Sequence, residues 1–312
     1  MERKPESNGM MGTIGLIDID QTKFPNLVLM KLSAHFKAQG YDTELLRPRD
    51  ILNGSNLFQS YDKLIGATVF TRNAETAKAL AAQGVHVGGT GTDNPETLPD
   101  AIEHIMPDYS LYGITDTAYG FLTRGCPREC PFCIVADKEG NISRKVADLS
   151  EFWNGQKKIV LCDPNIMACR GYRINLLHQL ADSGALVEFN QGVDARLLND
   201  EIIDLLNHIR MPIVHFAWDN PRDLHTKGCL EELSKKLKHP DKSKRIVYVL
   251  VNYWSTIEED LMRIYWLRDH DFMPFVMVYD KGNEPHEIHR MQRWCNNRWI
   301  FGRCKRFEDY WD

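Results

Sequence analysis

The sequence predicts an α/β protein of two parts: a doubly wound, Rossmann-like domain, then a partial (β/α)6 barrel. Three observations predict it. Short apolar strands alternate with helical apolar periodicity through residue 110. Turn residues then cluster at 107–113. Six further strand and helix units follow, in fewer residues than the ~250 that a complete eight-unit barrel typically takes.

The elements follow in order. Residues 1–11 are polar, lack the apolar stretch of a signal peptide and read as a disordered lead-in. Residues 12–110 form the Rossmann-like domain, with strands at 13–18, 43–46, 63–70 and 85–89 and helices from Leu27 to Gly40 and at 75–82. Ligands of such a sheet bind at the carboxyl ends of its strands, here 18–22, 71–72 and 88–92. Residues 111–285 form the barrel. Its strands are expected at 118–123, 158–162, 186–191, 212–218, 245–251 and 274–279. Helices are expected between them at 149–153, 172–183, 199–208, 228–237 and 256–269. Residues 286–312 form a helical, aromatic-rich extension. The basic segment 235–245 is short and reads as a helix end and loop rather than a binding surface.

The charge balance, 38 basic against 43 acidic side chains, gives a net charge of −5 and no global attraction to nucleic acid or anionic membrane. No apolar run approaches the ~20 residues of a membrane-spanning helix. A cytoplasmic location is expected. Three of the eight cysteines are bunched at 126, 130 and 133. In a reducing compartment that pattern suggests a metal or catalytic site more than disulfides.

The cysteines lie in Gly125-Cys126-Pro127-Arg128-Glu129-Cys130-Pro131-Phe132-Cys133, spaced C-x3-C-x2-C, directly after the first barrel strand. Three thiolates on one loop can hold three irons of a [4Fe–4S] cubane and leave the fourth open. Pro127 and Pro131 stiffen the loop and keep it from becoming helix. Zinc also accepts such spacing but needs four ligands, and no fourth Cys or His follows Cys133 closely. Iron–sulfur ranks ahead of zinc, and zinc ahead of chance.

This motif, at the end of a first barrel strand and with aromatic Phe132 before its third cysteine, resembles that of the radical S-adenosylmethionine (SAM) superfamily. The resemblance implies that Cys126, Cys130 and Cys133 hold the cluster. It also implies that the open iron binds the methionine part of SAM, and that reductive cleavage releases a 5′-deoxyadenosyl radical that takes hydrogen from a substrate. The order of the two parts, with 24–27, 107–113 and 120–126, resembles the subgroup with an N-terminal cobalamin-binding domain. That subgroup's cobalt-ligand signature, Asp-x-His-x-x-Gly, is absent. Asp18-Ile19-Asp20-Gln21-Thr22-Lys23 stands in its place, so cobalamin is the less favoured of the implied cofactors. Methylthiotransfer is disfavoured, because residues 1–125 hold no cysteine.

Other strand ends supply candidate SAM contacts. Cys162-Asp163-Pro164-Asn165 stands where the superfamily receives the methionine ammonium. Asp163 could accept from it, with Asn165 helping; a plain turn is the bland alternative. Gln191 and Asp194 could bind ribose hydroxyls, and Arg196 could clamp a carboxylate, against a capped Asp194–Arg196 surface pair. Asn252, with Asp219, Asn220 and Tyr253, occupies later strand ends. Lys138 and Glu139, past the cysteine loop, are either functional or merely exposed. Cys162 and Cys169 read as structural, and Cys295 and Cys304 as single cysteines in a barrel-capping tail. The basic and aromatic residues of that tail, among them Arg290, Trp294, Arg298 and Trp299, could track nucleic acid, though the net charge gives that no support. The expected partners are an external flavodoxin- or ferredoxin-like electron donor and an unidentified substrate, without a membrane. A non-enzymatic iron–sulfur carrier or sensor and a zinc-stabilised nucleic-acid module are the competing readings.

Overall fold

The computed structural model describes residues 11–54, 60–93, 96–239 and 241–311. The expected disordered lead-in, except for Met11, lies outside the described residues. The chain divides into two compact units, Met1–Tyr119 with Ser150–Gln156, and Gly120–Leu149 with Lys157–Asp312.

The first unit is built on β1 (Thr13–Asp18), α1 (Leu27–Ala38), β2 (Asp42–Leu46), α2 (Pro48–Leu52), β3 (Lys63–Ala67), α3 (Ala74–Ala81), β4 (His86–Gly88) and α4 (Asp100–Glu103). Its four strands are parallel, in the order β2-β1-β3-β4. Alternation along β1 explains the two-sided core. Ile14 and Leu16 pack with Leu29, Leu32 and Phe36, whereas Ile17 packs with Leu46, Ala77 and Leu80. Helices therefore cover both faces, as in a doubly wound sheet. Asn26 caps α1 by accepting from the Val28 and Leu29 amides. The segment 150–156 returns to this unit, where the Tyr109 hydroxyl donates to the Phe152 carbonyl at 2.6 Å.

Strand β5 (Thr117–Gly120) leads into the second unit. There follow β6 (Thr123–Arg124), α5 (Val135–Glu139), β7 (Arg144–Lys145), β8 (Lys158–Leu161), α6 (Arg173–Ser183), β9 (Leu186–Phe189) and α7 (Asp200–His208). Then come β10 (Val214–Ala217), α8 (Leu224–Lys236), β11 (Arg245–Val251), α9 (Ile257–Asp269), β12 (Met273–Val278), α10 (His286–Asn296) and α11 (Arg298–Arg303). The Gly120 carbonyl accepts from Cys162 at the end of β8. β8 pairs β9, β10 pairs β11 and β11 pairs β12, all parallel. The two groups meet where Val187 donates to the Arg210 carbonyl and Val193 to that of His215. Strands thus succeed one another in chain order with helices between them.

Three expectations change. The strand expected at 118–123 is broken into β5 and β6. The strand expected at 63–70 stops at Ala67. The helix expected at 149–153 is a single 3-10 turn, Leu149–Glu151. The tail is helical as expected, made of two helices and a turn, with Trp294 and Cys295 fully buried. In the basic segment 235–245, Arg245 is buried and donates to the Leu237 and His239 carbonyls. Among the described residues, no helix is long and apolar enough to cross a membrane.

Candidate functional site

The cysteine loop leaves β6 beside one buried carboxylate. Asp163 is 4% exposed and accepts from the Leu122 and Thr123 amides and from the Thr123 hydroxyl. These bonds turn the chain away from β5 and aim it into the loop. Gly125 follows with φ +86°, and a Cβ there would lie 2.2 Å from the Ile142 carbonyl oxygen, so only glycine fits. The Cys126 amide donates to the Gly140 carbonyl, and that of Cys133 to the Cys130 carbonyl. Arg124 bonds Glu139 at 2.8 Å and lies 3.8 Å from the centroid of the Phe121 ring. Glu139 is therefore part of the loop's frame.

Around the loop the structure gathers Asn165, Asp194 and Arg196. The Asn165 side-chain amide donates to the Cys126 sulfur at 3.7 Å and to Asp194 at 3.1 Å. Asp194 also receives Arg128 of the cysteine loop at 2.7 Å and Arg196 at 2.8 Å. Burial alone would raise the Asp194 carboxyl, but the bonds and charges of Arg196 and Arg128 hold it below the usual range. Its side chain is 7% exposed, so this is no surface pair, although Asp194 does cap the 3-10 turn at Ala195–Leu197. Arg196 also reaches Asp223 at 3.7 Å. Sequence reasoning missed Arg128. Its one signal was an arginine set between two cysteines, which calls for an anion somewhere in the fold.

The remaining candidates stand apart. Phe132 meets Tyr253 and Trp254 edge-on, with ring centroids at 5.8 and 5.5 Å. Asn252 adopts a left-handed φ of 64° and donates to the Tyr279 carbonyl, linking the ends of β11 and β12. Gln191 is exposed. Asp163, given to the methionine ammonium on resemblance, has both its oxygens engaged by the chain itself.

Burial and the negative charge of Asp219 push the Cys130 thiol up, and Cys133 and Cys126 add to the effect. Among the described residues, no three His, Cys, Asp or Glu side chains converge on one point as ligands of a single ion. A cubane has no need of such convergence, since it takes each thiolate at a different iron. An all-sulfur donor set on one stiff loop fits it.

Burial raises Asp163 from 3.8 to about 6 despite its three donors, and Asp219 to about 6 despite Arg263 and Arg196. A carboxyl raised in the native state contributes stability that is full below about pH 4 and lost as pH rises through about 6. Each group's share is on the order of 3 kcal/mol. Asp163→Asn is expected to remove one of these two components. Urea midpoints of both proteins from pH 4 to 7 test it; parallel curves would refute it.

In the first unit, the crevice of a β2-β1-β3-β4 sheet lies at the switch point between β1 and β3. Here it is laced shut. Asp20 accepts from the Thr68 hydroxyl, the Val69 amide and the Asn73 side chain at 2.6–2.7 Å. Asp18 accepts from the Asp20 and Gln21 amides and the Tyr112 hydroxyl. A Cβ on Gly89, beyond β4, would lie 2.2 Å from the Thr68 carbonyl oxygen. Asp20 stands where the subgroup places its cobalt-ligating histidine, and its carboxylate is fully engaged. These residues do not fit a cobalt ligand.

No protein-family model matches the chain, and no curated protein does. Among solved structures, the chain is similar to the radical S-adenosylmethionine methyltransferase TsrM from Kitasatospora setae, solved with cobalamin and a [4Fe-4S] cluster bound. The identity is 11%, over 85% of this chain and 74% of that one, with a TM-score of 0.61. A second TsrM structure, with tryptophan and the SAM analogue aza-SAM, gives 12% identity over 90% and 70% of the two chains and a TM-score of 0.49. At 11% identity the likeness is one of fold: the chain is a mixed α/β protein with parallel sheets, built like that radical SAM methyltransferase.

Proposed function

We propose that this chain is a radical SAM enzyme, with Cys126, Cys130 and Cys133 as the ligands of a [4Fe–4S] cluster. The single observation that carries the reading is the all-thiol loop, framed by Asp163 and Gly125 and pinned to the strand ends by Arg128 and Asn165. The shared fold supports it. When bound, the cluster supplies the electron that cleaves SAM and yields a 5′-deoxyadenosyl radical.

The chain's own residues then have separate tasks. Asn165 donates to a ligand sulfur and steadies its charge. Asp194 fixes Arg128 and Arg196 with their guanidinium groups beside the loop, where Arg196 can receive a carboxylate. Phe132, Tyr253 and Trp254 offer half-buried rings against which a nucleoside can lie. The second unit serves as the partial (β/α)6 barrel of this reading. A flavodoxin- or ferredoxin-like donor in the cytoplasm supplies the electron. The Asp20 geometry gives cobalamin no protein ligand, and no step is assigned to it.

The test is anaerobic. The purified chain is reconstituted with iron and sulfide, reduced with dithionite and given SAM, and 5′-deoxyadenosine is measured by mass spectrometry. Its formation is expected. A fully loaded cluster without cleavage would favour an electron carrier or sensor, and a chain that takes zinc but no iron would favour the zinc module.

A further inference from the structure

The parallel strands of the second unit bury one face almost completely and the other only in part. Ile159, Val187, Phe216, Val247 and Val276, one residue from each of β8 to β12, are at most 1% exposed. The opposite face carries Lys158, Glu188, His215, Tyr248 and Phe275, all only partly buried. Strand register places these together. Glu188 is the partner of Val160, which shares a face with Lys158, and Tyr248 is the partner of Phe275. Lys158 and Glu188 form an ion pair at 2.6 Å. The His215 and Tyr248 rings stack at 5.2 Å with an interplanar angle of 3°, and Phe275 meets Tyr248 edge-on at 5.8 Å.

This ladder has hydrogen-bonding capacity that the protein does not use. Among the described residues, neither ring nitrogen of His215 nor the Tyr248 hydroxyl has a hydrogen-bond partner, and the His215 Nδ1 atom is buried. Polar groups left this way inside a fold call for a water or a ligand. The charge of Glu188 reaches both His215 and Tyr248, but Lys158 neutralises it, so the face favours neither a cation nor an anion. Burial keeps His215 neutral by lowering its pKa, so one ring nitrogen accepts and the other donates. Cys162, at the carboxyl end of β8 and three residues before Asn165, follows Lys158 and Val160 in the strand alternation. The face therefore runs toward the strand ends that hold the cysteine loop.

We propose that this face binds a neutral, planar aromatic molecule carrying an O–H or N–H group, and that it is the seat of the substrate. The ring extends the Phe275, Tyr248 and His215 ladder, and the donor is taken by His215. The second half of the proposal rests on the radical-enzyme reading; the first does not.

The probe is 4-fluorophenol, followed by 19F NMR on the full chain with and without reconstituted cluster. Saturable binding is expected in both states, with 4-fluoroanisole, which lacks the donor, and fluorocyclohexane, which lacks the ring, both weaker. His215→Leu and Tyr248→Leu are expected to weaken 4-fluorophenol by about fivefold, the worth of one aromatic contact. His215→Phe, which keeps volume and stacking, is expected to abolish the preference for the phenol over the anisole. Equal affinity for all three probes, or no effect of the three variants, would overturn the proposal. Because binding is read without the cluster, a chain that binds the phenol yet makes no 5′-deoxyadenosine would keep the face and lose only its role as substrate seat.

Discussion

With Cys126, Cys130 or Cys133 replaced by alanine, the chain is expected to fold, to lose its cluster iron and to form 5′-deoxyadenosine only at background. Cys133 is exposed, and Cys126 and Cys130 are half-buried, so removing one thiol opens little cavity and should cost less than about 1 kcal/mol. Loss of one of three ligands leaves a second iron without a protein bond. Cys162 and Cys295 should behave in the opposite way. Cys295 is fully buried, with its sulfur 3.5 Å from the Pro274 carbonyl oxygen, and burial pushes the Cys162 thiol up to about 12. Neither offers a thiolate at neutral pH. Cys295→Ala should cost about 1–2 kcal/mol and leave iron per chain unchanged. Colorimetric iron, product analysis and urea midpoints on the same samples separate the two classes. Full iron content in Cys130→Ala would end the assignment.

The second large effect is expected far from any thiol, at Arg263. This guanidinium is fully buried on α9 and forms an ion pair with the equally buried Asp260. It also donates to the Trp218 and Asp219 carbonyls at 2.6 and 2.7 Å and to the Leu250 carbonyl at 2.8 Å. It thus ties the carboxyl end of β10 to that of β11. Arg263→Leu would leave a buried carboxylate unpaired and three carbonyls unsatisfied, a loss of about 3–5 kcal/mol. Replacing Asp260 as well should recover part of that loss, because the unpaired charge is gone. Urea unfolding of both single variants and the double variant gives the coupling. A double variant no more stable than Arg263→Leu would show that the carbonyls, and not the ion pair, carry the cost.

Strand β11 was legible to the residue, Arg245–Val251, because it is apolar on both faces and bounded by turn residues. The elements that differ are those where a distant polar group competes for the backbone. Leu122 and Thr123 leave their strand because Asp163, about forty places along the chain, takes their amides. Residues 68–70 leave β3 because Asp20 and the glycine loop after β4 claim Thr68 and Val69. No local pattern encodes such bonds. The cysteine loop was readable from spacing alone. Asn165, Asp194 and Arg196 were named from the sequence and stand together in the fold, while their tie to Arg128 spans 66 positions and needed coordinates. The Lys158, Glu188, His215 and Tyr248 face was invisible for the same reason, since it draws one residue from each of four strands.

The return of residues 150–156 to the first unit bears on how the protein melts. The chain crosses between its units at 119–120, 149–150 and 156–157, so this segment is a loop of the first unit whose two ends belong to the second. Phe152 is 4% exposed there, and Glu151 bonds His104 at 2.6 Å. While the second unit is folded, those ends are fixed and the segment docks at little entropic cost. Once it melts, the same contacts must close a long floating loop, a penalty on the order of 1 kcal/mol or more. Melting of the second half is therefore expected to loosen this segment from the first as well.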